Sequence, residues 1–468
     1  MFTKSKVFMA FASAMVLSAC GGGGSSSSST PVEKLSADLT ATLESVSGGE
    51  GLAAFTLPDS DDYENIPQDP NNPLSAEKVA LGQRLYHETA LGTNGVNPDR
   101  VGTWSCASCH HAAAGFKSGI LQGIAEGGEG FGMAGESRVL AEGFDAQSSD
   151  PTLRPDVQPV TSPAVLNATY QEVMLWNGQF GNMVGGLVNL GLADEVLATP
   201  GTPKAQNNRQ LAGIEIQAIA GLGVHRMSVT GDSILQTNSE YQTLFNAAYP
   251  DGSSDVLGDA GKAIAAFERT IIANQSPFQR WLRGETDAMS EQELRGAILF
   301  FGEAGCGDCH RGPALSSEVG ATEDQVFFAI GFSDFDPNNP AVTGVVDDAT
   351  ARGRGGFTGE SADNFKFKIP QLYNLADTNV FGHGGSFNSV RDVVAFKNTG
   401  LSQKVLPVGV IDNRVSPLGL SEQEIDDITT FLESALYDPN LTRYSPESVP
   451  SGNCIPVNDA IAQIDLGC

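Results

Sequence analysis

Basic residues are scarce in this chain. Its 468 residues carry 27 Lys and Arg against 56 Asp and Glu, a formal net charge of −29 at pH 7. Charge of that sign argues against nucleic acid and against anionic membrane surfaces as partners. It favours a basic partner such as a small cationic electron carrier, and it equally suits a chain that needs only solubility or a saline habitat. Histidine is scarcer still, at six: His87, His110, His111, His225, His310 and His383. No methionine follows Met289, and no histidine lies between His111 and His225. Beyond the N-terminus no apolar run looks transmembrane. Strand signals are few, so the fold class is mainly α.

What is present is organised around two short boxes, Cys106-Ala107-Ser108-Cys109-His110 and Cys306-Gly307-Asp308-Cys309-His310. A lone Cys-x-x-Cys is compatible with redox or zinc chemistry. A histidine directly after both boxes, in an exported chain, instead marks covalent attachment of a c-type haem. Each cysteine pair adds to the vinyl groups as thioethers, and His110 or His310 is placed to ligate the iron. Two covalently bound haem c groups are therefore expected.

Residues 1–20 read as an export signal. Lys4 and Lys6 precede an apolar stretch too short to span a membrane, and Leu17-Ser18-Ala19-Cys20 resembles a bacterial lipobox. Cleavage there leaves a lipid on Cys20, the chain's one link to a membrane; an ordinary secretory signal is the alternative. The Gly/Ser stretch from Gly21 to Thr30 is a flexible tether. The expected location is the bacterial periplasm or cell surface. One of the seven cysteines takes lipid and four take haem. Cys454 and Cys468 remain, and in an oxidising compartment they should close a disulfide loop contributing about 3 kcal/mol. No thiol is left for catalysis.

Residues 21–73 read as tether and acidic loop, with Asp69-Pro70-Asn71-Asn72 as solvated surface. Helices are predicted from Ser75 to Thr89, from Gly261 to Ile272, from Leu294 to Phe301 after a capping box at Ser290, and after a second capping box at Ser421. The glycine-rich stretch 119–145 reads as a long loop near the first haem. Helix, short loop and haem box occur twice, which predicts two tandem cytochrome-c-like haem domains with long loops. They are assigned as 74–257 (N-terminal) and 258–445 (C-terminal), with a disulfide-closed tail at 446–468.

From about Pro73 to about Tyr437 the chain resembles the bacterial di-haem cytochrome c peroxidase family, which includes MauG. The likeness lies in Leu81-Gly82-Gln83-Arg84-Leu85-Tyr86, the two haem boxes, Thr161-Ser162-Pro163-Ala164-Val165-Leu166-Asn167-Ala168 and Leu175-Trp176-Asn177-Gly178. It continues in Gly261-Lys262-Ala263-Ile264-Ala265-Ala266-Phe267-Glu268-Arg269-Thr270, Phe278-Gln279-Arg280-Trp281-Leu282, Phe367-Lys368-Ile369-Pro370-Gln371-Leu372-Tyr373-Asn374 and Gly382-His383-Gly384-Gly385-Ser386. The insert around 190–213 and the tail lie outside it. The resemblance implies reduction of hydrogen peroxide at the N-terminal haem, with the C-terminal haem supplying or storing an oxidising equivalent. It implies that Trp176 couples the two and that His383 lies near the second haem. Electrons would come from a small redox protein, a cytochrome c or a cupredoxin. Two rivals stand beside this: MauG-like oxidation of a partner protein's side chains, and a non-enzymatic di-haem electron-transfer lipoprotein. A homodimer is left open.

The departures from the family pattern are specific. With no histidine between His111 and His225 to cap it, the N-terminal iron is expected to be open. His225 or Arg226 falls near the family's distal acid, with Glu215 and Gln217 as further candidates. At the C-terminal haem the family's methionine or tyrosine position is matched by Lys397. A lysine amine, a vacant or water-filled site, or another residue remain open there. The family's calcium between the domains would fall on Thr161 and the backbone of Thr378 and Val380, with Thr161 in place of the usual asparagine.

Overall fold

The computed structural model describes residues 30–335, 341–343 and 346–468. The export signal, Cys20 and all of the tether except Thr30 lie outside the described residues. The fold is mainly helical. Among the described residues the strands form two short antiparallel pairs, Gly128–Glu129 with Val139–Leu140 and Phe327–Phe328 with Phe367–Lys368.

The first unit is built on helix Ala76–His87, capped by the Ser75 side chain, which accepts from the Lys78 amide. Leu81, Leu85 and Tyr86 are buried on one face. That face packs against helix Val256–Thr270. The crossing is close because Gly82 has no side chain: a Cβ there would lie 1.8 Å from the Ala263 carbonyl oxygen. Helix Gly213–Val224 packs on the other side of Val256–Thr270, across Gly261, where a Cβ would lie 2.4 Å from Ile219 Cγ1. The division expected at 257/258 falls inside Val256–Thr270, and the packing gives that helix to the first unit.

The second unit repeats the device. Ser290 and Ser421 both form capping boxes, starting helices Glu291–Phe301 and Glu422–Thr430. The two cross at Gly296, where a Cβ would lie 2.0 Å from the Asp427 carbonyl oxygen. Phe278, Phe300, Phe301 and Phe431 pack edge-on and offset beneath the crossing, geometries that aromatic rings prefer.

Three stretches are more ordered than the sequence suggests. Residues Pro31–Val46 form a helix rather than an acidic loop. Thr30 and Glu33 make its capping box, and Leu39 and Leu43 bury against Glu291–Phe301. Leu35, Leu39 and Leu43 recur every four residues, the helical spacing that the surrounding acids obscure. Asp69 and Asn72 are fully buried, not solvated. Asp69 accepts from the Ala212 amide at 2.6 Å, and Asn72 donates to Glu215 and to the Lys262 carbonyl. The C-terminal tail, closed by Cys454–Cys468 with a Cα–Cα distance of 5.8 Å, docks on the first unit. Ser105 and Ser108 at the first haem box both donate to the Pro456 carbonyl, and buried Asp459 accepts from Gly130 and pairs with Arg138.

Candidate haem sites and the seam between them

Both boxes share one backbone frame. Cys106–Ser108 and Cys306–Asp308 are single tight turns. The amides of His110 and His310 donate to the carbonyls of Cys106 and Cys306, at 3.1 and 3.0 Å. The chain then doubles back, pairing His111 with Lys117 and Arg311 with Ser316. Tyr86, from the leading helix of the first unit, donates to the His110 carbonyl at 2.6 Å. The four box cysteines are free thiols, and burial pushes those of Cys106, Cys109 and Cys306 up to about 12.

These residues fit covalently attached haem. Burial lowers the imidazoles of His110 and His310 to about 4, so both are neutral at physiological pH, as an iron ligand must be. His310 Nδ1 lies 2.8 Å from the Leu315 carbonyl, which fixes the ring and leaves Nε2 for the metal. His110 Nδ1 is buried without a hydrogen-bond partner. His111 turns away, with its ring edge-on to Phe131 and Nε2 3.4 Å from the Ser118 carbonyl.

His225 ends helix Gly213–Val224, its amide bonded to the Gly221 carbonyl at 2.8 Å. Trp104 Nε1 donates to its carbonyl at 2.8 Å. Its Nδ1 lies 2.8 Å from Asp156 Oδ2, with 32% of the histidine side chain exposed. The ring is near enough to His110 to influence its protonation. Burial pulls the His225 imidazole down, but the Asp156 carboxylate outweighs it and holds the pKa above the ordinary value. Asp156 carries no sequence signal. It sits in a loop 69 residues before His225, and only the fold joins them.

The other distal candidates are engaged elsewhere. Arg226, at a left-handed φ of 56°, pairs with fully buried Glu126 and donates to the Arg154 carbonyl. Glu215 is fully buried in a two-point pair with Arg269, at 2.8 and 2.6 Å, and accepts from Asn72. Both therefore hold the fold together and are not free to act on a substrate. Gln217 lines a small cavity with Pro163, Glu268 and Lys368. Burial, then the charge of Glu215, raises the Glu268 carboxyl to about 8, while burial lowers the Lys368 amine to about 7. Glu268 is a second feature that inspection of the sequence missed.

Trp176 lies at the seam between the units. Its Nε1 donates to the Thr161 carbonyl at 2.8 Å, and its own carbonyl accepts from the Lys368 amide at 2.7 Å. Its ring meets His383 edge-on at 6.2 Å, and His383 stacks on Phe367 at 3.6 Å while bonding Asp334 at 3.1 Å. Lys397 lies on helix Val390–Thr399 with its ammonium 4.8 Å from the Phe332 ring and 5.8 Å from Phe396. It faces the second box closely enough to bear on the protonation of Cys306 and His310. Burial lowers it to about 8.

The calcium residues fit their metal less well. Lys117 Nζ donates to the Val380 carbonyl at 2.7 Å. The Thr161 hydroxyl is within bonding distance of the Gly382 and His383 carbonyls. The Thr378 hydroxyl accepts from the Val380 amide at 3.2 Å.

Comparison with known proteins gives a consistent picture. Residues 76–287 match the family model for di-haem cytochrome c peroxidase. Cytochrome-c peroxidase IdrP1 of Denitromonas iodatirespirans is 26% identical over 424 residues, covering 86% of this chain and 92% of that protein. Methylamine utilization protein MauG of Methylorubrum extorquens is 27% identical over 380 residues, covering 80% and 83%. The crystal structure of a MauG-like protein associated with microbial copper homeostasis shares the fold, with a TM-score of 0.56 at 23% identity over 84% of this chain and 98% of that one. The chain is thus similar to di-haem cytochrome c peroxidases and MauG over 80–86% of its length, and the family-model match spans the first haem box.

Proposed function

We propose that this di-haem peroxidase reduces hydrogen peroxide at the N-terminal haem, with electrons relayed through the C-terminal haem from a small redox protein. The observation that carries the assignment of roles is the Asp156–His225 pair in the first unit, whose imidazole is partly exposed, whereas the second unit's His383–Asp334 pair is buried against Phe367. When bound, each haem supplies an iron that carries redox equivalents, and the first also offers a face to peroxide. Asp156 accepts from His225 Nδ1–H and so fixes the tautomer whose Nε2 is basic. That Nε2 takes a proton from one peroxide oxygen and returns it to the other, the transfer that heterolysis of the O–O bond requires. Trp176, bonded to Thr161 and packed on His383, is the coupling residue at the seam. Lys397, seated among Phe332 and Phe396 and facing the second box, is the residue that would hold the second iron on the side away from His310.

A second assignment, peroxide-dependent oxidation of a partner protein's side chains, is favoured by the lack of any methionine after Met289. Thioether ligation raises haem potential, and its absence suits a second haem that stores an oxidising equivalent. Either protein would be exported and held to a membrane through a lipid on Cys20. Stopped-flow mixing of peroxide with the holoprotein and a reduced small cytochrome tests the main assignment. Turnover oxidises the cytochrome; no oxidation by any small donor, with a mass gain on a co-purified protein, selects the second.

A further inference from the structure

The seam between the units carries a cation of its own. Lys117 follows the first haem box and reaches into the second unit, where its Nζ donates to the Val380 carbonyl at 2.7 Å. The same ammonium lies 5.7 Å from the centroid of the Phe381 ring. Val380 is one of the three residues on which the family's calcium would fall, so its carbonyl oxygen already faces a positive charge. The neighbouring groups are committed as well. The Thr161 hydroxyl is directed at the Gly382 and His383 carbonyls, at 2.9 and 3.0 Å, and the Thr378 hydroxyl is bonded to the Val380 amide. The loops are also tightly packed. A Cβ on Gly385 would lie 2.2 Å from Leu121 Cδ1, 2.8 Å from Val380 Cγ1 and 3.3 Å from Thr161 Cγ2.

Calcium takes six to eight oxygen ligands, about 2.3–2.6 Å away. Among the described residues no cluster of three or more His, Cys, Asp or Glu could hold a metal ion. A divalent ion at Val380 would have to displace an ammonium already bonded there, or bind beside it against like-charge repulsion. We infer that Lys117 takes the place of calcium at this seam: its Nζ, donating to the Val380 carbonyl, ties the first haem loop to the second unit, and the holoprotein binds no calcium there. This inference does not depend on the peroxidase assignment, because its test reads metal content and stability.

The holoprotein is dialysed against calcium, passed through a desalting column and assayed by elemental mass spectrometry. No stoichiometric calcium is expected, and EGTA is expected to leave the resting paramagnetic-resonance spectrum and the thermal midpoint unchanged. One calcium per chain, whose removal by EGTA shifts either signal, overturns the inference. Lys117→Met is expected to lower the thermal midpoint, and a midpoint equal to that of the unsubstituted holoprotein contradicts the tether. The metal count stands whether or not that variant folds.

Discussion

The two haem boxes are alike on the side that carries the cysteines and unlike on the side that faces away. Both use a single turn, a histidine amide bonded to the first cysteine's carbonyl, and a leading helix that crosses its partner at a glycine, Gly82 or Gly296. Near the first box stands an imidazole held by a carboxylate, His225 with Asp156. Near the second stands an amine among aromatic rings, Lys397 with Phe332 and Phe396. Attachment is a repeated solution, whereas chemistry is assigned locally. A partly exposed imidazole can move protons; an amine packed among rings is suited to hold one iron face closed.

The largest expected effect separates the two units. His225→Ala should lower kcat/KM for peroxide by about 10²–10⁴-fold, the usual worth of a positioned acid–base group. Lys397→Met should leave the peroxide-binding rate nearly unchanged and instead alter the spectrum and potential of the second haem. Equal losses of peroxide reactivity in both variants would erase the distinction.

Asp156→Asn should cost less and carry a signature. The carboxylate holds the His225 pKa up against burial, so its loss lets burial dominate and the pKa falls. The acid limb of kcat/KM for peroxide, where His225 becomes protonated, should therefore move to lower pH. An unmoved limb would show that Asp156 only packs.

The glycine crossings test the shared side. Gly82→Ala and Gly296→Ala both drive a methyl group into a carbonyl oxygen and should each destabilise by about 1–3 kcal/mol. Loss from one unit but not the other would show that the repeat is only geometric.

A pH-linked effect of comparable size, spread over a range of pH, belongs to the first unit. Burial holds His87 and His111 at about 4, below the ordinary 6.5. As pH falls the unfolded chain takes up these protons first. The stability they confer is complete above about pH 6.5 and is lost down to about pH 4, on the order of 3 kcal/mol each. Denaturant melts of the holoprotein across that range should show it, and His87→Gln should flatten the slope.

Much of this was legible in the chain. The haem boxes, the capping boxes at Ser290 and Ser421, and the tail disulfide each depend on residues close in sequence or on elimination among few cysteines. The helix at Pro31–Val46 was hidden because its acids outweigh Leu35, Leu39 and Leu43 in composition, although not in spacing. Asp156 with His225, Lys117 with Val380 and Pro456 with Ser105 join positions tens to hundreds of residues apart. No local pattern encodes such pairs. Glu215 and Arg226 matched by position, but each had acquired a buried partner, Arg269 and Glu126, that only packing reveals.

The most direct test of the contrast between the two distal faces is the paramagnetic-resonance spectrum of the resting di-ferric holoprotein. The account predicts one high-spin iron, at the first box, and one low-spin iron with two nitrogen ligands, whose signal changes in Lys397→Met and not in His225→Ala. Two low-spin irons, with the first responding to His225→Ala, would contradict it, because His225 would then be a ligand and no open face would remain.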